Sequence, residues 1–202
     1  MKKILSILSL SLLILAAVMV VTSYAGSYSF TPSDNDLGEL PHQYYFTWGI
    51  DWSLPSGETI TKATLTYNNI WDWISEPGDH LYTHLLGSGP SNNVISSWDG
   101  EGGGDNFGGQ GLLLGNWNDP NGGSPSGYNL TYDIPADHFS WLSSDGNFGF
   151  GIDPDCHYYN NGITFTIETT HDTGKVPEPS TMLLLGSGLI GLGGYVRRKF
   201  RK

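Results

Sequence analysis

Apolar and polar side chains alternate along the middle of this chain, and this alternation restricts the fold more than any other feature. In residues 44–52 every second side chain is large and apolar: Tyr44, Phe46, Trp48, Ile50 and Trp52. A period of two places these side chains on one face of a β-strand. In residues 60–67, Ala63 and Leu65 alternate with threonines in the same way. The pattern therefore predicts a sheet with one buried face.

Further short strands are predicted along the same region. They are expected at residues 80–86, 112–114, 130–134, 148–152 and 163–169. Turns rich in proline, glycine, asparagine and aspartate separate them, and one short helical turn is expected at 135–142. Seven or more strands joined by such turns predict an all-β fold, an antiparallel β-sandwich of jelly-roll type.

The amino-terminal end has the parts of a secretion signal. Two lysines precede an almost wholly apolar stretch, 4–21, and residues 23–25 place small side chains at minus three and minus one of a signal-peptidase site. We predict a signal peptide over residues 1–25, cleaved by signal peptidase between Ala25 and Gly26. An uncleaved anchor is the alternative, because the apolar stretch is longer than a usual signal core. In either case the domain that follows is translocated.

The carboxyl-terminal end carries three features in a fixed order. Residues 176–180 are Val-Pro-Glu-Pro-Ser, 181–196 are apolar and rich in glycine, and 197–202 include five Lys or Arg. A transmembrane helix over the 16 residues of the apolar run would span roughly 24 Å, which is short of the roughly 30 Å hydrocarbon core. The basic end would remain in the cytoplasm by the positive-inside bias. These features predict a weak membrane helix.

This order of motif, weak helix and basic end resembles the tail of PEP-CTERM proteins, which are exported by bacteria that carry an exosortase. The resemblance covers residues 176–202 and implies that exosortase recognises Pro177, Glu178 and Pro179. It also implies transient anchoring in the inner membrane, cleavage near the motif, and delivery to the cell surface, outer envelope or extracellular matrix. The alternative is a permanent single-span anchor.

Charge is distributed very unevenly. Within residues 26–175, the predicted exported domain, nineteen Asp and Glu stand against only Lys62 and Lys175, a formal charge of −17. Such a surface repels phosphate groups, which excludes nucleic acid as a partner, and attracts divalent cations. The single cysteine, Cys156, allows no internal disulfide. Packing, with or without a bound metal, must therefore stabilise the domain.

Two acidic segments contain candidate calcium ligands. Asp153 and Asp155 follow a predicted strand, and carboxylate oxygens on a loop suit Ca²⁺. Asp99, Glu101 and Asp105 lie on a long glycine-rich loop and would contribute if the fold brings that loop alongside. The alternative is an Asp-Pro turn that needs no ion. The sequence therefore makes calcium a possible cofactor.

Tryptophan and tyrosine suggest a surface for sugars. The run 148–157, together with the strand at 163–169, resembles the closing strands of the carbohydrate-binding-module-like sandwiches of exported bacterial proteins. Exposed aromatic rings stack on sugar faces while carboxylates and amides bond to hydroxyls. Trp71, Asp72 and Trp73 form the best local candidate for ligand binding. Other tryptophans are needed for the core of a sandwich without disulfides.

No zinc-protease, P-loop, nucleophile-elbow or dinucleotide-binding motif occurs in the sequence, so we expect no enzymatic activity. The expected function is that of an exosortase-sorted surface or matrix protein, structural or associated with exopolysaccharide. One alternative is a carbohydrate-binding module, with calcium as a stabilising ion. The other is a glycoside-active enzyme that uses two of Asp72, Glu76 and Asp79. An exposed aromatic strip would favour the module, and a deep cleft would favour the enzyme.

Overall fold

The computed structural model describes most of the chain between residues 25 and 171. The described residues are 25–33, 37–74, 76–100, 102–119, 122–123, 128–144, 146–171, 183, 185–191 and 197. The chain divides into one unit of Ala25–His171 and a second unit of Met1–Tyr24 with Asp172–Lys202.

Little of the second unit is described. Residues 183, 185–191 and 197 are helical. No helix in the described part of the chain is both long enough and apolar enough to span a bilayer. Residues 1–24 of the predicted signal peptide, the motif Pro177-Glu178-Pro179 and the rest of the predicted helix at 181–196 lie outside the described residues.

The unit Ala25–His171 is built from short strands. The described strands are β1 (Ala25–Phe30), β2 (Glu39–Leu40), β3 (Tyr44–Asp51), β4 (Glu58–Tyr67), β5 (Trp71–Asp72), β6 (Leu81–Leu86), β7 (Val94–Trp98), β8 (Leu112–Trp117), β9 (Leu130–Asp133), β10 (Asn147–Pro154), β11 (Tyr158–Tyr159) and β12 (Ile163–His171). A 3₁₀ turn, Ala136–His138, and the helix α1, Phe139–Ser143, separate β9 from β10.

The strands form two large sheets and one small one. The orders are β1-β12-β4-β9, β7-β3-β10-β6-β8 and β2-β11-β5, and the neighbouring strands pair antiparallel. When β7 and the small sheet are set aside, the remaining eight strands follow the orders 1-8-3-6 and 2-7-4-5 along the chain. This is the strand order of a jelly roll, with β7 added at one edge.

The core lies between the two large sheets. Phe150 of β10 faces Phe165 of β12 with ring centroids 4.9 Å apart, and Phe148 approaches the same Phe165 ring at 5.6 Å. The hydroxyl groups of Tyr67 and Thr83 form a buried hydrogen bond of 2.9 Å between β4 and β6. In β12 every second residue from Ile163 to Thr169 is buried, as the alternation predicts, whereas residues 148–154 of β10 are all buried.

The predicted antiparallel β-sandwich is confirmed. Predicted strands match β3, β4, β6, β9, β10 and β12 to within two residues at each end, and β8 extends three residues beyond its prediction. The helical turn expected at 135–142 is also present. The sequence did not predict β1, β2, β5, β7 or β11. The three strands of the small sheet have only two residues each, too few for an alternation to be visible.

Candidate functional site

The small sheet presents two chemically different faces. Tyr159 of β11 lies between Glu39 and Trp71, whereas Tyr158 lies between Leu40 and Asp72. Residues directly opposite in an antiparallel pair point to the same side, and successive residues point to opposite sides. One face of this sheet is therefore aromatic and partly exposed, and the other is buried and carries a carboxylate.

Four rings on the exposed face form what we call the aromatic platform: Trp71, Trp73, His157 and Tyr159. The Trp71 and Tyr159 rings stack with centroids 4.5 Å apart and planes at 19°. His157 also stacks on Tyr159, at 4.9 Å and 13°, and Trp73 lies 6.3 Å from the same ring. The Trp73 side chain is 62% exposed, and its backbone N–H donates to the His157 carbonyl at 2.9 Å.

Polar groups border the platform at one edge. Glu39 of β2 forms a hydrogen bond with His157, and 2.7 Å separates Glu39 Oε1 from His157 Nε2. The Glu39 side chain is largely exposed. An exposed ring beside a carboxylate and an imidazole provides both the flat apolar surface and the hydrogen-bonding groups that a sugar requires.

The structure divides the ligand-binding set expected from the sequence. Trp71 and Trp73 belong to the aromatic platform, but Asp72 points to the opposite face and is 0% exposed. Successive side chains of a strand point to opposite faces, so Asp72, which stands between the two tryptophans, points away from them. Asp72 therefore cannot bond to a ligand that lies on the platform. Glu39, more than thirty residues earlier in the chain, supplies the carboxylate there.

On the buried face, Asp72 meets two residues from other segments, and we call these three the Asp72 cluster. The side-chain ligand atoms of Asp72, Asp79 and Cys156 lie within 4.8 Å of one another. Asp79 ends a turn in which its Oδ2 accepts the Glu76 N–H at 2.9 Å. Among the described residues, this is the one place where three potential metal-ligand side chains converge so closely.

The Asp72 cluster is poorly solvated. Neither carboxylate oxygen of Asp72 has a hydrogen-bond partner of normal geometry. Burial raises the pKa of Asp72, and the charges of Asp79 and Asp119 add to this; the Cys156 thiol and the Ile74 N–H partly offset it. Burial, together with the Asp72 carboxylate, raises the pKa of Cys156 to about 12. The thiol is therefore protonated at neutral pH when no cation is bound.

The predicted calcium residues lie at the end of β10, beside the glycine-rich loop. Asn106 joins the two, because its N–H donates to Asp153 Oδ2 at 2.6 Å and its Nδ2 donates to Asp99 Oδ1 at 2.7 Å. Asp153 is 0% exposed. Three buried oxygens, Asp99 Oδ2, Asp153 Oδ1 and Asp155 Oδ1, have no hydrogen-bond partner. The fold thus brings the loop alongside, as the calcium hypothesis requires.

Electrostatics at this second acidic site favour neutralisation. Burial, followed by the charge of Asp153, raises the pKa of Asp155 to about 6, while His80 opposes the shift. Burial also raises the pKa of Asp153, although hydrogen bonds from Asn106 partly offset this. The three carboxylates are not drawn together as closely as the side chains of the Asp72 cluster. Glu101 lies outside the described residues.

Asp105 holds the glycine-rich loop in place through contacts with His84 and Phe107. Its Oδ2 lies 3.0 Å from His84 Nε2, and its Oδ1 accepts the Phe107 N–H at 3.0 Å. The buried Phe107 ring covers Gly151 of β10, where an added Cβ would lie 2.7 Å from the ring. Glycine at 151 thus allows the loop to pack on the sheet.

A cavity of about 330 Å³ lies away from these acidic groups. Its lining combines hydroxyl, amide and apolar groups: Ser29, Phe30, Thr31, Ser33, Trp48, Gly49, Ile50, Asn92 and Asn93. None of these side chains is an acid or base near neutral pH. The described residues that line the cavity therefore supply no general acid or general base.

Comparison with known protein families identifies the tail. Residues 175–199 match the family model described as the PEP-CTERM protein-sorting motif. The chain carries a PEP-CTERM sorting motif. The match includes Pro177, Glu178 and Pro179, and it confirms the resemblance seen in the sequence. None of the curated proteins compared matches the chain.

The PEP-CTERM motif establishes the route of the protein but not its ligand. It implies an exported protein whose precursor is anchored in the membrane and whose processing partner is exosortase. The matched residues lie outside Ala25–His171, the unit that contains the platform and both acidic sites. The role of that unit must therefore be argued from its own geometry.

Proposed function

We propose that this exported protein associates with exopolysaccharide at the cell surface or in the extracellular matrix, through the aromatic platform and without catalysis. The observation that carries this proposal is the stack of Trp71 on Tyr159 beside Trp73, which is 62% exposed. An isolated exposed ring is common on proteins, whereas several adjacent rings on one face form a binding surface.

The charge of the domain selects among polysaccharides. A formal charge of −17 over residues 26–175 repels uronic and sulfated chains at low salt. The polar neighbours of the platform, Glu39 and His157, can accept or donate hydrogen bonds to neutral hydroxyls. We therefore assign neutral polysaccharide to the platform. An acidic polysaccharide would require bound cations to bridge the two negative surfaces.

The proposal that the protein is not an enzyme rests on the placement of its acids. Among the described residues, the cavity lining contains no titratable side chain, and the glycosidase candidates Asp72 and Asp79 face the interior. A glycosidase needs both carboxylates at a site that its substrate can enter. The buried Asp72 has no such access.

Cleavage by signal peptidase between Ala25 and Gly26 is compatible with the sandwich. Strand β1 begins at Ala25, which pairs with Thr170, and continues to Phe30 opposite Phe165. Removal of the first 25 residues would delete one residue of β1 and retain five pairs. The mature domain would then begin at Gly26, a buried position where a Cβ would lie 2.5 Å from Thr169 Oγ1.

Calcium at the second acidic site is a further part of the proposal. Three buried carboxylate oxygens have no partner there, one each from Asp99, Asp153 and Asp155. These residues offer a metal only oxygen ligands. Ca²⁺ takes about six to eight oxygens, so backbone carbonyls and water would complete its shell. The cation would stabilise the loop that packs over β10.

The experiment is a binding assay of the full chain in detergent against neutral and acidic polysaccharides. Trp73→Ala should weaken binding to a neutral chain about tenfold, because one aromatic contact contributes about 1.4 kcal/mol. Trp98→Ala is the matched control, since Trp98 is 66% exposed but lies on the edge strand β7. Equal effects of the two substitutions, or no binding by the parent chain, would refute the platform.

A further inference from the structure

Three segments that are far apart in sequence meet beneath the aromatic platform. Asp72 comes from β5, Asp79 from the turn before β6, and Cys156 from the link between β10 and β11. Their ligand atoms lie within 4.8 Å of one another, although Cys156 is 84 residues after Asp72. A small cation at the centre of this group could contact all three side chains.

The burial of Asp72 points independently to a ligand. Its side chain is 0% exposed, both of its oxygens lack partners of normal geometry, and one of them lies within 4.8 Å of a ligand atom of each of the other two residues. Burying a carboxylate without compensation is strongly unfavourable, so buried carboxylates are usually paired or bind metals. Among the described residues of Ala25–His171 there is no arginine, and the one lysine, Lys62, pairs with Asp133.

A second unpaired group lies beside the first. Tyr158 is directly opposite Asp72 across β11 and β5, and its buried hydroxyl has no hydrogen-bond partner. The charged groups that raise the pKa of that hydroxyl include Asp72 and Asp79, after burial. A metal-bound water could donate to this oxygen, which would satisfy both unpaired groups.

The surrounding residues hold the three side chains in place. The Asp72 N–H donates to Asp119 Oδ2 at 3.0 Å, and the Asp72 carbonyl accepts the Gly123 N–H at 2.7 Å. Asn118 Nδ2 donates to the Asp79 carbonyl. Hydrogen bonds of this kind around the ligands orient them and strengthen metal binding.

The donor set distinguishes among metals. Ca²⁺ and Mg²⁺ take oxygen ligands, whereas Zn²⁺ binds cysteine sulfur, imidazole and carboxylate. We propose that Asp72, Asp79 and Cys156 bind a divalent cation of the zinc class, with water in the fourth position. On binding, the S–H bond of Cys156 breaks, its proton passes to solvent, and the thiolate sulfur bonds to the cation without any change of oxidation state.

This inference goes beyond the proposed function and does not depend on it. A cation in the Asp72 cluster would tie β5 to the segment before β11, so it would fix the backbone that carries Trp71 and Tyr159. Polysaccharide binding could fail while the cation still binds. The cation also differs from the calcium proposed at Asp153, whose surrounding ligands contain no sulfur.

The test is a titration of the untagged full chain in detergent, stripped of metal, with Co²⁺ as a spectroscopic substitute for Zn²⁺. A thiolate bound to Co²⁺ gives a charge-transfer absorption in the near ultraviolet. One equivalent of Co²⁺ should produce this band, and Zn²⁺ should abolish it by displacement. Thiol-specific reagents should modify Cys156 at least tenfold more slowly in the Zn²⁺ form.

Variants identify the ligands. Cys156→Ser should eliminate the band and weaken Zn²⁺ at least tenfold, while Asp79→Asn should retain the band but require at least tenfold more Co²⁺. Asp137→Asn is the control, because Asp137 is fully exposed, and it should titrate like the parent. Far-ultraviolet circular dichroism checks that each variant is folded.

Three results would overturn the proposal: no saturable Zn²⁺ binding by the parent chain, parental Zn²⁺ affinity in folded Cys156→Ser, or displacement of Zn²⁺ by equimolar Ca²⁺. The last would assign an oxygen-only site. The parent titration decides the matter even if one variant fails to fold.

Discussion

Removing the charge of Asp155 should change how the stability of the sandwich depends on pH. The pKa of this carboxyl group is raised from 3.8 to about 6 in the folded protein, chiefly by burial and then by Asp153. The folded state therefore holds a proton that the unfolded state releases between about pH 4 and pH 6. The contribution of Asp155 to the stability of the folded state is fully present below pH 4 and is lost as the pH rises through 6.

The magnitude follows from the size of that shift. A difference of about two pKa units corresponds to about 3 kcal/mol at 1.36 kcal/mol per unit. Asp155 is only partly buried, and screening by solvent reduces this figure to about 1 kcal/mol. For a domain of about 150 residues, the melting temperature should fall by about 3 °C between pH 4 and pH 6 from this group alone.

The assay is a series of thermal melts of the full chain in detergent with a chelator, followed by near-ultraviolet circular dichroism. All seven tryptophans lie within Ala25–His171, so the signal reports that unit. Asp155→Asn should make the fall in melting temperature between pH 4 and pH 6 about 3 °C smaller. Saturating Ca²⁺ should abolish the same 3 °C contribution in the parent chain, because the cation stabilises the charged carboxylates.

Asp137→Asn serves as the control of opposite sign. A hydrogen bond from His138 lowers the pKa of the exposed Asp137, so its contribution is present above pH 4 and is lost as the pH falls. Asp137→Asn should therefore leave the fall in melting temperature between pH 4 and pH 6 unchanged. If the parent and Asp155→Asn melt in parallel across this range, then Asp155 does not carry the shift and the reasoning is refuted.

Three further substitutions test the packing and the tail. Gly151→Ala should lower the free energy of unfolding by about 1–3 kcal/mol, because the new Cβ would press on the Phe107 ring, whereas Gly87→Ala, which meets no atom within 4 Å, should be near neutral in the same melts. Tyr67→Phe should cost about 1 kcal/mol by removing the buried hydrogen bond to the Thr83 hydroxyl; an unchanged melting temperature would contradict this. Replacing Pro177, Glu178 and Pro179 with alanine should leave the precursor in the membrane, as cell fractionation would show, and normal delivery would contradict recognition of this motif.

The sequence predicted the large sheets well because their strands are long and have one buried face. In β12 the buried residues Ile163, Phe165 and Ile167 alternate with threonine and glutamate, so the period of two is clear. In β4 the same alternation covers residues 63–67. Strand β7 was not predicted because its five residues, Val-Ile-Ser-Ser-Trp, show no alternation of apolar and polar side chains. At an edge, pairing through the backbone is possible without an apolar pattern.

The candidate sites depended on contacts that no local pattern reveals. The sequence grouped Trp71, Asp72 and Trp73 because they are adjacent. In an extended strand, however, the side chain of the middle residue points to the opposite face from those of its neighbours. Tyr159 and His157 join the two tryptophans only because β11 pairs with β5. One signal was available: an aspartate between two exposed tryptophans on a strand must point inward, where a buried carboxylate needs a partner.

Buried carboxylates bear on why export suits this domain. Among the described residues, both oxygens of Asp72 and Oδ1 of Asp153 have no hydrogen-bond partner, and almost all lysine and arginine of the chain lie in its two ends. The divalent cations proposed here would stabilise such a domain, and by mass action the gain would be about 2.7 kcal/mol with the free cation at one hundred times Kd. The same acids would then link the stability of the domain to the composition of the medium outside the membrane, where the PEP-CTERM motif directs it.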